Sequence, residues 1–185
     1  MKKALTIIFL IFTFLAKGQF GTKAVGYFIS NRNDTVRTHF YVDYPQGMLQ
    51  NFAYSIKYVD SNNKQQALKP ELAKEVYFVC NGEKMKLVSM EFPKYLYPTK
   101  TFGFFQVIDE SGYLKEYYCS WNKLNWEVFQ KGNDTLHVNS SVHYREKLAQ
   151  YFSDCPEIVT QIKNKEHRST LEFVKEYNRS CAVKQ

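Results

Sequence analysis

The stretch VYFVCNGEKMKLVSMEF, residues 76–92, carries the clearest structural signal in the chain. Val76 to Cys80 is a short apolar run rich in β-branched and aromatic residues, which is typical of a strand. Asn81-Gly82 follows, and this dipeptide favours a two-residue hairpin turn because both of its positions require a positive φ. Lys84 to Phe92 then predicts the returning strand. The stretch therefore predicts an antiparallel hairpin.

Similar signals recur on both sides of this hairpin. Further strands are predicted at residues 24–29, 35–42, 52–59, 101–109, 113–121, 128–130 and 135–138. Polar turn residues such as Asn31–Asp34 and Asp60–Lys64 separate them. Many short strands at this spacing are typical of an antiparallel sheet arranged as a sandwich or an open, barrel-like structure. The body of the chain is therefore expected to be mainly β.

The pattern becomes helical after Val142. Residues 144–152 place apolar side chains at helical spacing and predict one helix. Asp154-Cys155-Pro156-Glu157 and Ser169-Thr170-Leu171-Glu172 both have the capping-box arrangement, which predicts the first turns of two more helices. The last two helices are expected to form a hairpin, which makes the fold class α+β overall.

Residues 1–18 have the layout of a secretory signal peptide. Lys2 and Lys3 precede an apolar run at residues 4–15, and Ala16-Lys17-Gly18 places small residues before a cleavage point at Gln19. The run is shorter than the ~20 residues that span a bilayer, and no lipoprotein cysteine follows it. We therefore expect a cleaved, unlipidated protein that is exported to the periplasm or the extracellular space.

Composition predicts one domain with a modest positive charge. Without the three leader lysines, 22 Lys and Arg face 18 Asp and Glu, so the net charge falls from +7 to +4. These cations are interspersed with acids along the sequence, unlike the basic stripe of a nucleic-acid-binding protein. Nucleic acid is thus not an expected partner, and no transmembrane segment is expected after cleavage. The predicted organisation is a leader at 1–18, a β domain at 19–140, and helices at 141–185 packed on the same domain.

Four cysteines follow the leader, which favours disulfides in an exported chain. Cys155 begins the second predicted helix and Cys181 follows the third. Since the start of one helix lies beside the end of the next in an antiparallel hairpin, this geometry predicts a Cys155–Cys181 bond. Cys80 and Cys119 each end a strand, and either a cross-strand bond or two buried free thiols fits them. No C-x-x-C pair occurs and the histidines are scattered, so neither a metal site nor a cofactor is expected.

The sequence contains no recognised catalytic or phosphate-binding motif, and its acids resemble turn, cap or surface residues. Tyr117, Tyr118, Trp121 and Trp126 combine large rings with polar tips, which suits either a sugar- or peptide-binding surface or packing inside a β domain. We expect a non-enzymatic domain with a binding or structural role in the cell envelope. Its expected partner is an envelope protein or a glycan. The alternative is a glycan-binding module or a small envelope enzyme built on residues 121–126.

Asn33-Asp34-Thr35-Val36 and Asn133-Asp134-Thr135-Leu136 echo each other at two predicted turns. Asp-Thr before an aliphatic residue resembles the O-glycosylation signal of exported proteins in some Gram-negative bacteria. The same residues also fit ordinary turn and strand chemistry. Thr35 and Thr135 are therefore candidate modification sites.

Residues 26–36 read GYFISNRNDTV, residues 68–72 read LKPEL, and residues 151–156 read YFSDCP. These stretches resemble a large family of uncharacterised exported bacterial proteins, and the first of them is similar to that family's GYIITNxGDTI opening. Residues 68–72, LKPEL, are similar to its YxPEDIxGF turn, and residues 151–181 are similar to its YFxDCP…YNxxC tail. Arg32 and Asn33 depart from the pattern at the first turn. The resemblance implies β strands followed by a C-terminal helical hairpin, with no known activity.

Overall fold

The structure is a computed structural model that describes residues 22–42, 52–95, 97, 99–121, 124–139, 143–164 and 169–182. The predicted leader lies outside the described residues. The strands are β1 (Thr22–Ser30), β2 (Thr35–Val42), β3 (Ile56–Val59), β4 (Gln65–Leu68), β5 (Ala73–Cys80), β6 (Glu83–Glu91), β7 (Phe102–Asp109), β8 (Leu114–Trp121), β9 (Leu124–Lys131) and β10 (Asp134–Asn139). A 3₁₀ turn spans Pro70–Leu72, and the helices are α1 (Tyr144–Tyr151), α2 (Pro156–Lys163) and α3 (Thr170–Ser180).

These strands form one antiparallel sheet in the order β10-β9-β8-β7-β6-β5-β1-β2-β3-β4, which confirms the predicted mainly β, α+β fold. Most neighbours in the sheet are also neighbours in sequence, whereas β1 lies between β2 and β5. The predicted turn at Asn81-Gly82 has φ values of 51° and 82°. Gly26 lets β1 approach β5 closely, because a Cβ there would lie 2.0 Å from the carbonyl oxygen of Tyr77.

Three apolar cores hold the sheet and helices together. The first includes Phe40 and Phe78 and draws on strands β1 to β7. The second lies between β8–β10 and the helices and includes Tyr177. The third occupies the other face of β7–β9 and includes Trp126. The helices therefore cover only one half of the sheet, the half that ends in β10.

Residues 52–55, which come just before β3 in the chain, lie beside β7. β7 pairs with β8 only from Gln106 onward, and its earlier part bonds elsewhere. The backbone N–H of Phe104 donates to the carbonyl of Ala53 at 3.1 Å. The prediction of a strand from Phe52 is therefore wrong, since β3 begins at Ile56. Ala53 lies beside β7 in this way, and the ring of Tyr54 stacks on Trp121 of β8 with centroids 4.0 Å apart.

The sequence predicts a side-chain cap for each helix of the hairpin, and the structure has one of these two caps. The Ser169 side chain accepts from the backbone N–H of Glu172, as the capping box predicts. The predicted cap at Asp154 is wrong, because the N-cap of α2 is Cys155 and has no side-chain cap bond. Asp154 instead accepts from Lys131 at 3.0 Å. None of the helices in the described ranges has the length and apolar character needed to cross a membrane.

Candidate functional site

Strands β3, β2, β1, β5 and β6 expose one face of the sheet to solvent. Side chains alternate along a strand, so the buried Phe28, Phe40 and Phe78 point to the core and their sequence neighbours point outward. We call the outward set the open face. It consists of Lys57 on β3, Arg37, His39 and Tyr41 on β2, Lys23, Val25, Tyr27 and Ile29 on β1, Glu75, Tyr77 and Val79 on β5, and Lys84 and Lys86 on β6.

The strand register arranges the open face into rows that cross the strands. One row runs Arg37, Tyr27, Tyr77, Lys86, and the next runs His39, Val25, Val79, Lys84. Each row has two aromatic or aliphatic residues at its centre and a basic side chain at each end. With neighbouring strands about 4.8 Å apart, the ends of a row are about 14 Å apart. The open face is thus an apolar strip with basic residues on both sides.

The centre of the strip is unusually accessible for apolar residues. Val25 is 64% exposed and its cross-strand neighbour Val79 is 38% exposed. Tyr27 and Tyr77 stack on each other, with ring centroids 5.4 Å apart and an interplanar angle of 24°. A tyrosine presents an apolar ring with a hydroxyl at its tip. Contiguous exposed side chains of this kind are typical of a contact surface.

The open face has more positive than negative charge. Its acid is Glu75, and its lysine and arginine residues are Lys23, Arg37, Lys57, Lys84 and Lys86. Among the described residues, only Lys86 of these cations forms an ion pair, to Glu75 at 3.2 Å and to Glu110 at 2.7 Å.

Among the described residues, ion pairs therefore neutralise the positive charge of the open face only at Lys86. Burial alone would lower the pKa of Lys86, but its bonds to Glu110 and Glu75 raise that pKa above its ordinary value. Arg37 and Lys84 stay available to an external anion. The sequence, in which cations alternate with acids, did not indicate this concentration of charge, and pairing of the strands produces it.

Two carboxylates lie under the helices, contrary to the expectation that the acids are turn, cap or surface residues. Glu116 is only 3% exposed. Thr170 at the start of α3 donates to its Oε1, and its Oε2 has no hydrogen-bond partner among the described residues. Burial raises the pKa of Glu116 to about 7, with Glu127 and Asp109 adding to the rise against the Thr170 bond.

Glu127 is the second of these acids and is half-buried. It accepts from the hydroxyl of Tyr144 on α1. Burial raises its pKa, and the Tyr144 bond partly opposes that rise. Two carboxylates with raised pKa values suggest acid–base chemistry in an open cleft, but here each carboxylate accepts from a helix hydroxyl, that of Thr170 or Tyr144. Their arrangement joins the helices to β8 and β9.

Lys131 forms a second polar junction between sheet and helices. Its ammonium donates to the carbonyl of Tyr151 at 2.7 Å and to Asp154 at 3.0 Å. Asp154 also accepts from the hydroxyl of Tyr177. Burial alone would raise the pKa of Asp154, but these two donors lower it below its ordinary range. An adjoining groove of about 530 Å³ is lined in part by Lys131 and Asp154, whose charges already satisfy each other.

The aromatic segment proposed as a binding surface lies mostly inside the protein. Trp121 is 8% exposed and Trp126 is 4% exposed. Phe92 packs against both rings, at centroid distances of 4.8 and 6.3 Å. Tyr117 is buried in the same core, whereas Tyr118 is half-buried on the opposite face of β8. The structure therefore places Tyr117, Trp121 and Trp126 in packing contacts, in which Tyr54 and Phe92 lie against the tryptophan rings.

The two cysteine pairs considered from the sequence differ in the structure. Cys155 and Cys181 form a disulfide with their Cα atoms 5.8 Å apart, which joins the start of α2 to the end of α3. Cys80 and Cys119 are buried free thiols. They lie on β5 and β8, and β6 and β7 separate these strands in the sheet. Of the two alternatives for Cys80 and Cys119, the structure therefore has the two buried free thiols and not the cross-strand bond.

The two candidate glycosylation sites differ in accessibility. Thr35 is exposed at the first position of β2, and Thr135 is half-buried on the edge strand β10. Modification of either residue stays a prediction. In the described part of the chain, no three His, Cys, Asp or Glu side chains gather in a way that would hold a metal ion.

Comparisons of the chain with protein-family models, curated proteins and solved structures found no match.

Proposed function

We propose that this chain is an exported, non-enzymatic binding domain and that its open face binds an extended anionic chain. The observation that carries the proposal is the pair of cross-strand rows, in which exposed Val and half-buried Tyr side chains lie between basic residues. Arg37 and Lys84 stand at opposite ends of adjacent rows and form no ion pair among the described residues. An anion seated across the rows would reach both.

The size of the open face favours an extended ligand over a folded protein. The two rows are about 14 Å wide, and the open face runs about 20 Å along β1 from Lys23 to Ile29, so it covers roughly 300 Å². A stable protein–protein interface buries about 800 Å² on each partner. A flexible chain of repeating charges gains from each basic residue in turn and needs no larger platform.

Export is part of the proposal. The Cys155–Cys181 disulfide is compatible with an oxidising compartment, and the leader-like residues 1–18 supply the route. The roles of Glu116 and Glu127 support a non-enzymatic function, because the two carboxylates accept from Thr170 and Tyr144 and so join the helices to the sheet.

Charge reversal on the open face tests the proposal. The protein is purified in the form that its own host produces, and its affinity for dextran sulfate is measured at several salt concentrations. We expect the double variant Arg37→Glu, Lys84→Glu to bind at least tenfold more weakly and with a smaller salt dependence, because two cations become anions.

A matched control separates the open face from net charge. Arg145 on α1 and Lys175 on α3 are exposed on the other half of the molecule. Arg145→Glu, Lys175→Glu changes the net charge by the same amount and is expected to retain wild-type affinity. Equal loss in the two double variants, or no binding by the wild type, would overturn the proposal.

A further inference from the structure

We infer that the anionic chain bound by the open face is an acidic polysaccharide, an inference that rests on the proposed function. It depends on the centre of the strip as well as on its basic borders. A ligand recognised by charge alone would need only the cations. Here the basic residues enclose two exposed valines and two tyrosine hydroxyls, so the ligand must offer apolar surface and hydrogen-bonding groups between its charges.

Sugar rings carrying acid groups meet these three requirements together. The C–H face of a pyranose packs on aliphatic and aromatic carbon, which Val25 and Val79 expose at the centre of one row. Ring hydroxyls pair with the hydroxyl tips of Tyr27 and Tyr77 in the next row. Carboxylate or sulfate substituents then reach Arg37 and Lys84, and such charge-assisted bonds are stronger than neutral ones.

The stacked tyrosines disfavour a nucleic acid. Proteins that bind single strands present aromatic rings on which bases stack. Tyr27 and Tyr77 face each other at 5.4 Å, so each ring already covers one face of the other. What remains to a ligand is their outer surfaces and hydroxyl groups. An acidic peptide is disfavoured differently, because it lacks the repeated hydroxyl groups that would use these tips.

The test compares polymers that share charge and differ in backbone. The affinity of the wild-type protein is measured for polygalacturonate, poly-glutamate, single-stranded DNA and neutral dextran at one ionic strength and one concentration of charged groups. We expect polygalacturonate to bind at least tenfold more tightly than poly-glutamate or DNA, and dextran to bind most weakly.

A conservative variant tests the tyrosine contacts. Tyr27→Phe, Tyr77→Phe removes two hydroxyls and keeps both rings and their stacking. Since one ordinary hydrogen bond corresponds to about two- to tenfold in affinity, we expect polygalacturonate binding to weaken by at least fivefold and poly-glutamate binding to stay unchanged. Tyr113→Phe, at an exposed tyrosine before β8, is the control and is expected to behave as wild type.

The outcomes separate this inference from the proposed function. Equal affinity for all three polyanions, or tighter binding of DNA or poly-glutamate, overturns the polysaccharide and leaves an anion-binding open face. Unchanged polygalacturonate affinity in the double Phe variant also overturns it. Failure to bind any of the polyanions removes both the inference and the proposed function.

Discussion

Replacing Glu116 by Gln should stabilise the protein in a pH-dependent way. Glu116 lies on β8 beneath the start of α3, and in the part of the chain that the structure describes one of its carboxylate oxygens accepts no hydrogen bond. Glutamine retains an oxygen that can accept from Thr170 and removes the charge beside Glu127. The substitution therefore relieves the cost of an ionised carboxylate at a buried position that faces a second acid.

The magnitude follows from the change in pKa on folding. Burial raises the pKa of Glu116 from its ordinary 4.5 to about 7, so the folded state holds the proton more tightly than the unfolded state. Below pH 4.5 both states are protonated and no penalty arises. Between pH 4.5 and 7 the unfolded state releases its proton first, and the wild type loses stability until the penalty is complete. At about 1.36 kcal/mol for each pKa unit, the penalty above pH 7 is about 3 kcal/mol.

The assay is urea unfolding of wild type and Glu116→Gln at pH 4 and pH 8. We expect similar free energies of unfolding at pH 4 and an advantage of about 3 kcal/mol for the variant at pH 8. Glu83→Gln, at an exposed position at the start of β6, is the control and should change stability by less than about 0.5 kcal/mol at both pH values. A difference between wild type and Glu116→Gln that is equal at the two pH values would refute the reasoning.

Three further predictions concern the sheet, the third core and the disulfide. Gly26→Ala should abolish cooperative thermal unfolding, because the new Cβ would lie 2.0 Å from the carbonyl oxygen of Tyr77; a wild-type melting temperature would contradict this. Trp121→Ala should cost about 3–5 kcal/mol in urea unfolding and leave the polymer affinity of the folded protein unchanged; weaker binding at unchanged stability would return Trp121 to the binding surface. A digest without reduction should join the Cys155 and Cys181 peptides, and replacing both residues by alanine should cost about 3–4 kcal/mol for a bridge over 26 residues; alkylation of both thiols before reduction would exclude the bond.

Local signals in the sequence predict much of the fold. The apolar run ending at Cys80 and the Asn81-Gly82 turn specify the β5–β6 hairpin without help from distant residues. Ser169 likewise caps α3 through a bond to a backbone N–H three residues away. In these places propensity, turn chemistry and tertiary structure agree.

Elements that depend on distant partners were missed. β4 reads QQAL and buries only Leu68, so it has no alternating apolar pattern, and its pairing with β3 defines it. The residues around Ala53 have the pattern of a strand, but the carbonyl of Ala53 accepts from the backbone N–H of Phe104 on β7. Asp154 looks like a helix cap but pairs with Lys131, a residue of β9.

The sequence alone does not predict the open face either, because this site also depends on contacts between residues that are far apart in the chain. Arg37 and Lys84 are 47 positions apart in the chain, and the open face brings them near each other because β1 lies between β2 and β5. Periodicity indicates that Val25 and Val79 lie on one face of their strands. It does not indicate that the helices dock on the other half of the sheet and leave this face exposed.

Amide chemical shifts measured during a polygalacturonate titration test the central claim most directly. With ¹⁵N-labelled protein, we predict saturable shift changes concentrated in β1, β2, β5 and β6, largest around Tyr27 and Tyr77 and absent from α1 to α3. Shift changes centred on β8–β10 or on the helices would contradict the assignment of binding to the open face. Shifts that stay unchanged at saturating polymer would contradict binding itself.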